Sequence, residues 1–167
     1  MATSYGNITE EQAALIRQAP LFFVASAAPD MAAGPQGQGA VNLSPKGGTP
    51  LHIIDANRVA YLDYEGSGNQ TARHAKAGGP VTVMVMSMDA MDAAVVRLFG
   101  HARVVPIEDS ELRETLLAQQ AADLELPMRQ VIDIAVEGTQ TSCGYGVPVF
   151  EYVAQRVRKQ RGRAYKA

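Results

Sequence analysis

Residues 81–105 read VTVMVMSMDAMDAAVVRLFGHARVV, and this stretch predicts two consecutive β-strands. In residues 81–88 valine alternates with threonine and methionine, which is the two-residue period of a strand, and both resulting faces are largely apolar. A turn at 89–93 leads to a second run at 94–105, which is long enough to cross a barrel. Because both faces of the first strand are apolar, we expect it to lie inside a closed or doubly covered sheet.

Four more strands and four helices are predicted around this pair. The strands are expected at 21–28, 40–44, 58–63 and 129–141. The helices are expected at 10–19, 71–77, 110–122 and 149–157. Thr9 followed by Gln12 indicates a capping box at the start of the first helix.

Most of these strands follow one another through short turns, without regular alternation of strand and helix. This order predicts a mainly β (α+β) fold, an antiparallel barrel or sandwich of six strands with peripheral helices. A chain of 167 residues fits one domain, which we expect to span residues 1–158. A basic tail, 159–167, is predicted to have little ordered structure because it carries charge without an apolar period.

Composition and charge restrict the class of protein. The chain is 47% hydrophobic and 19% charged, and charges, glycine or proline interrupt every apolar run, so no membrane segment is predicted. The last twelve residues hold six Lys and Arg and no acid, whereas residues 1–155 hold nine basic and seventeen acidic residues, a net charge of −8. The basic end is interpreted as a solvated tail; an arm for nucleic acid or an acidic partner is the alternative. No nucleic-acid module accompanies it, and a single cysteine with no signal sequence predicts a cytoplasmic protein.

The regular motifs of catalysis and metal binding are missing from the sequence. It has neither the phosphate loop G-x-x-x-x-G-K-[ST] nor a dinucleotide-binding G-x-G-x-x-G between a strand and a long helix. His52, His74 and His101 are isolated, so no metal site is predicted. Cys143 is interpreted as a small buried apolar residue rather than a nucleophile. The catalytic residues therefore stay unknown at this level.

Two polar clusters with neighbouring glycines each follow a predicted strand. One is NLSPKGG at 42–48, and the other is YEGSGNQTARHAK at 64–76. Each alone is nearly as consistent with an ordinary turn, but hydroxyl and amide donors with a lysine near a helix start together indicate a phosphate pocket. The candidate binding residues are Asn42, Ser44, Lys46, Ser67, Asn69, Thr71 and Arg73.

The order of several segments resembles the pyridoxamine 5′-phosphate oxidase-like family of FMN-binding split barrels. These segments are FFVASAAP, VNLSPKGG, VAYLDYEGSGNQTARHA, VTVMVMSM and VVRLFGHARVV, and the resemblance covers roughly residues 15–105. QTSCGYGVPVFEY resembles the C-terminal signature of a poorly characterised branch, which includes SCGYGVP. The resemblance implies a six-stranded antiparallel split barrel and a homodimer with FMN in clefts between the subunits.

Within this resemblance, Lys46 matches the lysine that reaches the flavin phosphate in the oxidases. Their Ser-Arg-Lys run corresponds to SGNQT here, so two basic residues are replaced by neutral ones. Ser67, Asn69 and Thr71 would donate hydrogen bonds in their place, and Arg73 would add charge. Val95 stands near the position of a flavin-binding glutamine, and this departure argues against oxidation of pyridoxamine phosphate itself.

Three functions remain open from the sequence. The first is an FMN-dependent oxidoreductase of unknown substrate, and the second is a flavin-binding, storage or sensor protein without turnover. The third is a basic-tailed interaction protein on a degenerate barrel. FMN is the expected cofactor, with a deazaflavin or haem as alternatives, and the expected partners are a second copy of the chain and a small-molecule ligand.

Overall fold

The computed structural model of the chain describes residues 1–31, 39–66, 68–119 and 127–155. These ranges contain eight strands and three α-helices, with a 3-10 helix at Ile107–Asp109. The strands are β1 (Thr3–Tyr5), β2 (Leu21–Ala27), β3 (Val41–Gly47), β4 (His52–Asp55), β5 (Arg58–Tyr64), β6 (Pro80–Met86), β7 (Ala94–Pro106) and β8 (Met128–Cys143). The helices are α1 (Glu10–Gln18), α2 (Gln70–Lys76) and α3 (Arg113–Ala118).

All the strands form one antiparallel sheet in the order β3-β2-β6-β7-β8-β5-β4, with β1 also paired to β8. The predicted mainly β, antiparallel fold is confirmed, but the expected number of six strands is wrong. The two additional strands are β1, with three exposed residues, and β4, with four residues and a bulge in its pairing. Strands this short carry too little alternation to be recognised in a sequence.

Alternating side chains build the main core, as the pattern at 81–88 indicates. Val81, Val83 and Val85 of β6 are buried, each at most 2% exposed, while the residues between them are partly exposed. A second, smaller core lies where the 3-10 helix and α3 pack against β5 and β8. Their facing apolar residues are Ala60, Leu62, Ile107, Leu112, Leu116 and Val131.

The end strand β3 approaches β5, near the other end of the sheet, and the described residues of the two strands do not pair their backbones. Lys46 of the end strand β3 lies 3.1 Å from Asp63 of β5, measured between Nζ and Oδ1. The rings of Phe22 and Tyr61, from β2 and β5, meet edge to face with centroids 5.2 Å apart. The sheet is therefore curled into a barrel with a gap between β3 and β5.

Helix α2 is held beside this gap by buried polar and close backbone contacts. His74 is 1% exposed, and its ring nitrogens lie 3.0 Å from the Ser26 hydroxyl and 3.2 Å from the Gly39 carbonyl oxygen. Just after the helix, a Cβ on Gly79 would lie 1.9 Å from the Ala27 carbonyl oxygen. Glycine therefore lets the chain turn from α2 into β6 against the end of β2.

The predicted helices agree only in part with the structure. The first is confirmed with its capping box, in which Thr9 and Gln12 exchange hydrogen bonds. Of the third, expected at 110–122, the described residues 110–119 are α-helical at Arg113–Ala118, and residues 120–122 lie outside the described part of the chain. The predicted helix at 149–157 is wrong over its described part, since residues 149–155 follow an irregular path. Hydrogen bonds from the Phe150 N–H to Met88 O at 3.1 Å and from Gln155 to Pro20 O at 3.5 Å hold that path.

Residues 156–167 lie outside the described part of the chain, so the expectation of a tail at 159–167 stays a prediction. The described helices include none that is both long and apolar enough to cross a lipid bilayer.

Candidate functional site

A pocket of about 360 Å³ occupies the gap between β3 and β5. Its walls come from β3, the end of β5, residues 65, 66, 68 and 69, and the first turn of α2. These are the two polar clusters that the sequence analysis selected. The curled sheet therefore brings together two segments that are separate in sequence.

Five of the seven predicted binding residues line this pocket. Asn42, Ser44 and Lys46 lie on the same face of β3 because alternate residues of a strand point the same way. Asn69 and Thr71 line the opposite wall. Of the remaining two, Ser67 falls outside the described residues, and Arg73 lies on α2 but is not among the residues that line the pocket.

A direct hydrogen bond joins the two walls. The side-chain amide of Asn42 donates to the Thr71 hydroxyl oxygen at 3.1 Å. Thr71 is only 6% exposed, so this bond fixes the start of α2 against β3. The hydroxyl proton of Thr71 is left to donate in another direction, since its oxygen accepts from Asn42.

A buried carboxylate, Asp63, lies at the centre of the polar end of the pocket. Asp63 is 8% exposed and accepts hydrogen bonds from the Lys46 ammonium at 3.1 Å, from Arg129 at 3.0 Å and from Gln130 at 2.8 Å. Three donors, two of them charged, compensate for the removal of this carboxylate from water. Within the described ranges Lys46 makes this one ion pair, which leaves two further N–H groups of its ammonium for the pocket.

Arg129 contacts two parts of the pocket rim, which is formed by the described residues 64–66 and 68. Its Nη2 shares its two N–H groups among Asp63 and the carbonyl oxygens of Tyr64 at 3.0 Å and Gly68 at 3.3 Å. Its Nε is buried and has no hydrogen-bond partner among the described residues. By bonding both carbonyls, the guanidinium holds the described rim residues beside the pocket.

Gln130 connects the same carboxylate to the pocket wall. Its side-chain nitrogen, 2.8 Å from Asp63, also lies 2.9 Å from the side-chain oxygen of Asn69. Gln130 is 6% exposed and does not itself line the pocket. It therefore acts behind the wall, between a buried acid and a pocket amide.

The ring of Tyr61 lies against the Lys46 ammonium. The Lys46 Nζ is 5.6 Å from the centre of the Tyr61 ring, which is within the range of a cation–π contact. Tyr61 is 0% exposed, and its hydroxyl has no partner among the described residues. Burial raises the pKa of Tyr61 well above its ordinary value, and the negative charge of Asp63 raises it further.

The sequence analysis missed Asp63, Arg129, Gln130 and Tyr61. Asp63 lies in an otherwise apolar strand pattern, and an acid at such a position was the one available signal. The contribution of β8 depends on its register, in which Asp63 pairs with Gln130 across 67 positions of sequence. Nothing local in the sequence shows that register.

The residues set aside in the sequence analysis have other surroundings. His52 is 4% exposed with both ring nitrogens unpaired among the described residues, and burial lowers its pKa. Cys143 is exposed, so its interpretation as a small buried residue is wrong. Within the described ranges, no group of three or more His, Cys, Asp or Glu side chains is arranged to hold a metal ion.

Comparison with known proteins places this site in a family. The family profile described as "Pyridoxamine 5′-phosphate oxidase" matches residues 8–143. The chain belongs to the pyridoxamine 5′-phosphate oxidase family. Within that family it is 34% identical over 134 residues to the protein ustO of Aspergillus flavus, described as a family protein. This match covers 79% of the chain but 50% of ustO, so the chain spans about half the length of that curated relative.

Solved structures share the fold of this oxidase family member. A Lactobacillus delbrueckii protein, described provisionally as a pyridoxamine 5′-phosphate oxidase, gives a TM-score of 0.57 at 22% identity, covering 81% of this chain and 94% of the other. An FMN-binding protein from Syntrophomonas wolfei gives a TM-score of 0.53 at 13% identity, covering 75% and 80% of the two chains. At these identities the similarity establishes the split-barrel fold.

Proposed function

We propose that this protein is an FMN-dependent oxidoreductase that holds the flavin phosphate in the pocket between β3 and α2. The observation that carries the proposal is the convergence of Lys46, Asn69 and Thr71 on one pocket, from two clusters that are far apart in sequence. The structural similarity to an FMN-binding protein supports it. The substrate stays open, because no described side chain identifies it.

The donor set of the pocket fits a phosphate group. Lys46 offers a charge with two remaining N–H groups, Thr71 a hydroxyl proton, and Ser44 a further hydroxyl. Arg129 adds a second positive charge next to the pocket, and Asp63 compensates for one of the two. Hydrogen bonds from charged and neutral donors to phosphate oxygens are stronger than bonds between neutral groups. In the proposal these donors replace the two basic residues that the sequence lacks.

A bound flavin would supply the electron-transfer chemistry, which is a property of the cofactor. The chain contributes the phosphate anchor and the rim segment that Arg129 holds in place. Oxidoreductase activity therefore requires that the pocket fix one end of the cofactor, so that its reactive ring has a defined position.

We also propose that a second copy of the chain completes the site. A cavity of about 360 Å³ is at the lower end of the range for small-molecule sites, about 300–1,000 Å³, so one chain encloses a cofactor only in part. Val41 and Leu43, on the opposite face of β3 from Lys46, are 62% and 65% exposed. Exposed apolar side chains next to a partly open site favour a homodimer.

An absorption spectrum followed by titration tests the flavin proposal. We expect FMN to bind with a flavin absorption band, and we expect Lys46→Ala to weaken FMN binding by about one to two orders of magnitude. Riboflavin, which lacks the phosphate, should bind both proteins equally. Equal losses for both ligands would contradict a phosphate site at Lys46.

Turnover and assembly need separate measurements. Bleaching of the bound flavin by NADH or NADPH, followed by reoxidation with an acceptor, supports an oxidoreductase. A stable flavin band without reduction favours a storage or sensor protein. An absorption band of a deazaflavin or of haem would identify that compound as the cofactor instead of FMN. Sedimentation velocity should give a dimer that Leu43→Glu dissociates; a wild-type monomer at micromolar concentration contradicts the shared site.

A further inference from the structure

We infer that Gln130 sets the hydrogen-bonding polarity of the pocket through Asn69, so that the pocket selects an anionic, hydrogen-bond-accepting group such as a phosphate monoester. The inference rests on the proposed function and assigns a role to a residue that does not line the pocket. Gln130 is therefore a positioning residue.

The orientation of the Gln130 amide follows from Asp63. An ionised carboxylate only accepts hydrogen bonds, and Asp63 is paired with two cations, Lys46 and Arg129. The Gln130 side-chain group that faces Asp63 at 2.8 Å must therefore be its NH₂. The reversed amide would place its oxygen against a carboxylate oxygen inside the protein, where repulsion between acceptors is unscreened.

The orientation of Asn69 follows from that of Gln130. The same Gln130 NH₂ lies 2.9 Å from the Asn69 side chain, so the Asn69 atom that faces it must be the oxygen. The Asn69 NH₂ is thereby turned away from Gln130, and it bonds to none of the described residues. Because Asn69 lines the pocket, we assign this NH₂ as a donor to the ligand.

Burial keeps this arrangement in one state. Asp63 and Gln130 are 8% and 6% exposed, so water cannot readily replace either partner if the amide turns over. With Asn69 reversed, the pocket would present a carbonyl oxygen and would repel phosphate. In the observed orientation, the Asn69 NH₂ and the Lys46 ammonium both favour binding of an anion.

Removal of the Gln130 amide at constant size tests the inference. In Gln130→Met we expect FMN affinity to fall about tenfold, because loss of one oriented donor to a charged group has an effect of this order. Riboflavin affinity should change less than about twofold on the same basis, since riboflavin has no phosphate for Asn69 to contact. Calorimetric titration of both ligands gives the ratio of FMN affinity to riboflavin affinity. A general loss of structure would lower both affinities and leave this ratio unchanged.

Gln140→Met is the matched control. Gln140 lies on the same strand, is less buried than Gln130 and donates to the Ser4 hydroxyl at 3.4 Å, but it does not line the pocket. Its substitution should leave both affinities at the wild-type values. If Gln140→Met lowers the FMN-to-riboflavin ratio as much as Gln130→Met does, the assignment to Gln130 is overturned.

Asn69→Asp keeps the shape of the wall and replaces the donor by a charged acceptor, at a partly exposed position that tolerates substitution better than a buried one. It decides the question if Gln130→Met does not fold. We expect Asn69→Asp to lower FMN affinity at least tenfold, the range of a lost charge-assisted bond, while riboflavin affinity holds. Unchanged FMN affinity in this variant would overturn the inference.

A measurement without flavin separates this inference from the proposed function. In ¹⁵N-labelled protein, inorganic phosphate should shift the side-chain NH₂ signal of Asn69, and the shift should be absent in Gln130→Met. If wild type binds no FMN but shows this response, the flavin proposal fails and the role of Gln130 stands. If phosphate leaves the Asn69 signal unmoved in wild type, or moves it equally in Gln130→Met, the role of Gln130 is overturned.

Discussion

Two buried aspartates, Asp63 and Asp133, each contact two cations from two other strands, yet their surroundings differ. Asp133 receives the Nε and Nη2 of Arg58, both at 2.9 Å, and an Nη2 of Arg103 at 2.7 Å. Asp63 receives one atom each from Lys46, Arg129 and Gln130. Arg58 makes a bidentate contact with Asp133, whereas Lys46 and Arg129 each make a single hydrogen bond to Asp63.

The difference lies in the hydrogen-bonding capacity that remains. Around Asp133, Arg58 also bonds Glu111 at 2.6 Å, and no buried polar side-chain atom of this cluster is unpaired among the described residues. Around Asp63, the Nε of Arg129 and the hydroxyl of Tyr61 are buried and find no partner in the described part of the chain, and Lys46 faces a pocket. A saturated cluster holds strands together, and an unsaturated one beside a cavity can bind a ligand.

Removal of the acid from the saturated cluster should have the largest effect. We expect Asp133→Ala to lower the free energy of unfolding by about 3 kcal/mol, since it removes the buried counter-ion of Arg58 and leaves that guanidinium with the exposed Glu111. Urea denaturation measures this loss. FMN affinity should stay at the wild-type value, and a selective loss of FMN over riboflavin binding would contradict the division between the clusters.

Substitution of the arginine beside each aspartate should affect FMN affinity at Asp63 and not at Asp133. Arg129→Lys keeps the charge but loses the bonds to the Tyr64 and Gly68 carbonyls, so we expect FMN affinity to fall about tenfold, or ~1.4 kcal/mol. The matched control is Arg103→Lys at the other aspartate, where the side chain is 71% exposed. Calorimetry should show unchanged FMN affinity for the control. Equal losses of FMN affinity in both variants would contradict the distinction between the Asp63 and Asp133 clusters.

The pH dependence of the free energy of unfolding should show the contribution of Asp133 to stability. Burial alone would raise the pKa of Asp133, but the hydrogen bonds from Arg58 and Arg103 outweigh it and hold the pKa below its ordinary value. The unfolded chain therefore takes up this proton first, and the stabilisation is present above about pH 4 and is lost below it. Compared with wild type, Asp133→Asn should lose stability less steeply below pH 4, by at most about 1.4 kcal/mol per pH unit. Parallel curves in acid denaturation would contradict this.

Tyr61→Phe should have the smallest effect and the opposite sign. The Tyr61 hydroxyl is buried without a partner among the described residues, so its removal should leave stability unchanged or raise it by up to about 1 kcal/mol. Thermal or urea unfolding measures the change. A loss above about 1 kcal/mol would show that the hydroxyl is paired in solution and that the pocket cluster is closer to saturation.

The fold could be predicted because its long strands alternate. The period of residues 81–88 was enough to predict a strand with a buried valine face, and β6 confirms it. β1 and β4 were too short to show a period. The helix expected at 149–157 rested on composition alone, which does not distinguish a helix from an irregular segment that lies against the surface.

The walls of the candidate site were predicted, and the groups behind them were not. Asn42, Ser44, Lys46, Asn69 and Thr71 lie in two local clusters that a sequence displays directly. Arg129 and Gln130 enter only through the pairing of β8 with β5. Strand register depends on the whole sheet, so residues that act through it cannot be identified from their neighbours in sequence.

Pro45 has a consequence for how two copies of the chain can meet. It lies within β3, the end strand of the sheet, between the exposed Leu43 and the inward-facing Lys46. A proline has no N–H to offer to an added strand, and free strand edges are where chains join into continuous sheets and fibres. An added strand would therefore lack one donor at Pro45, which disfavours open-ended joining of sheets along this edge.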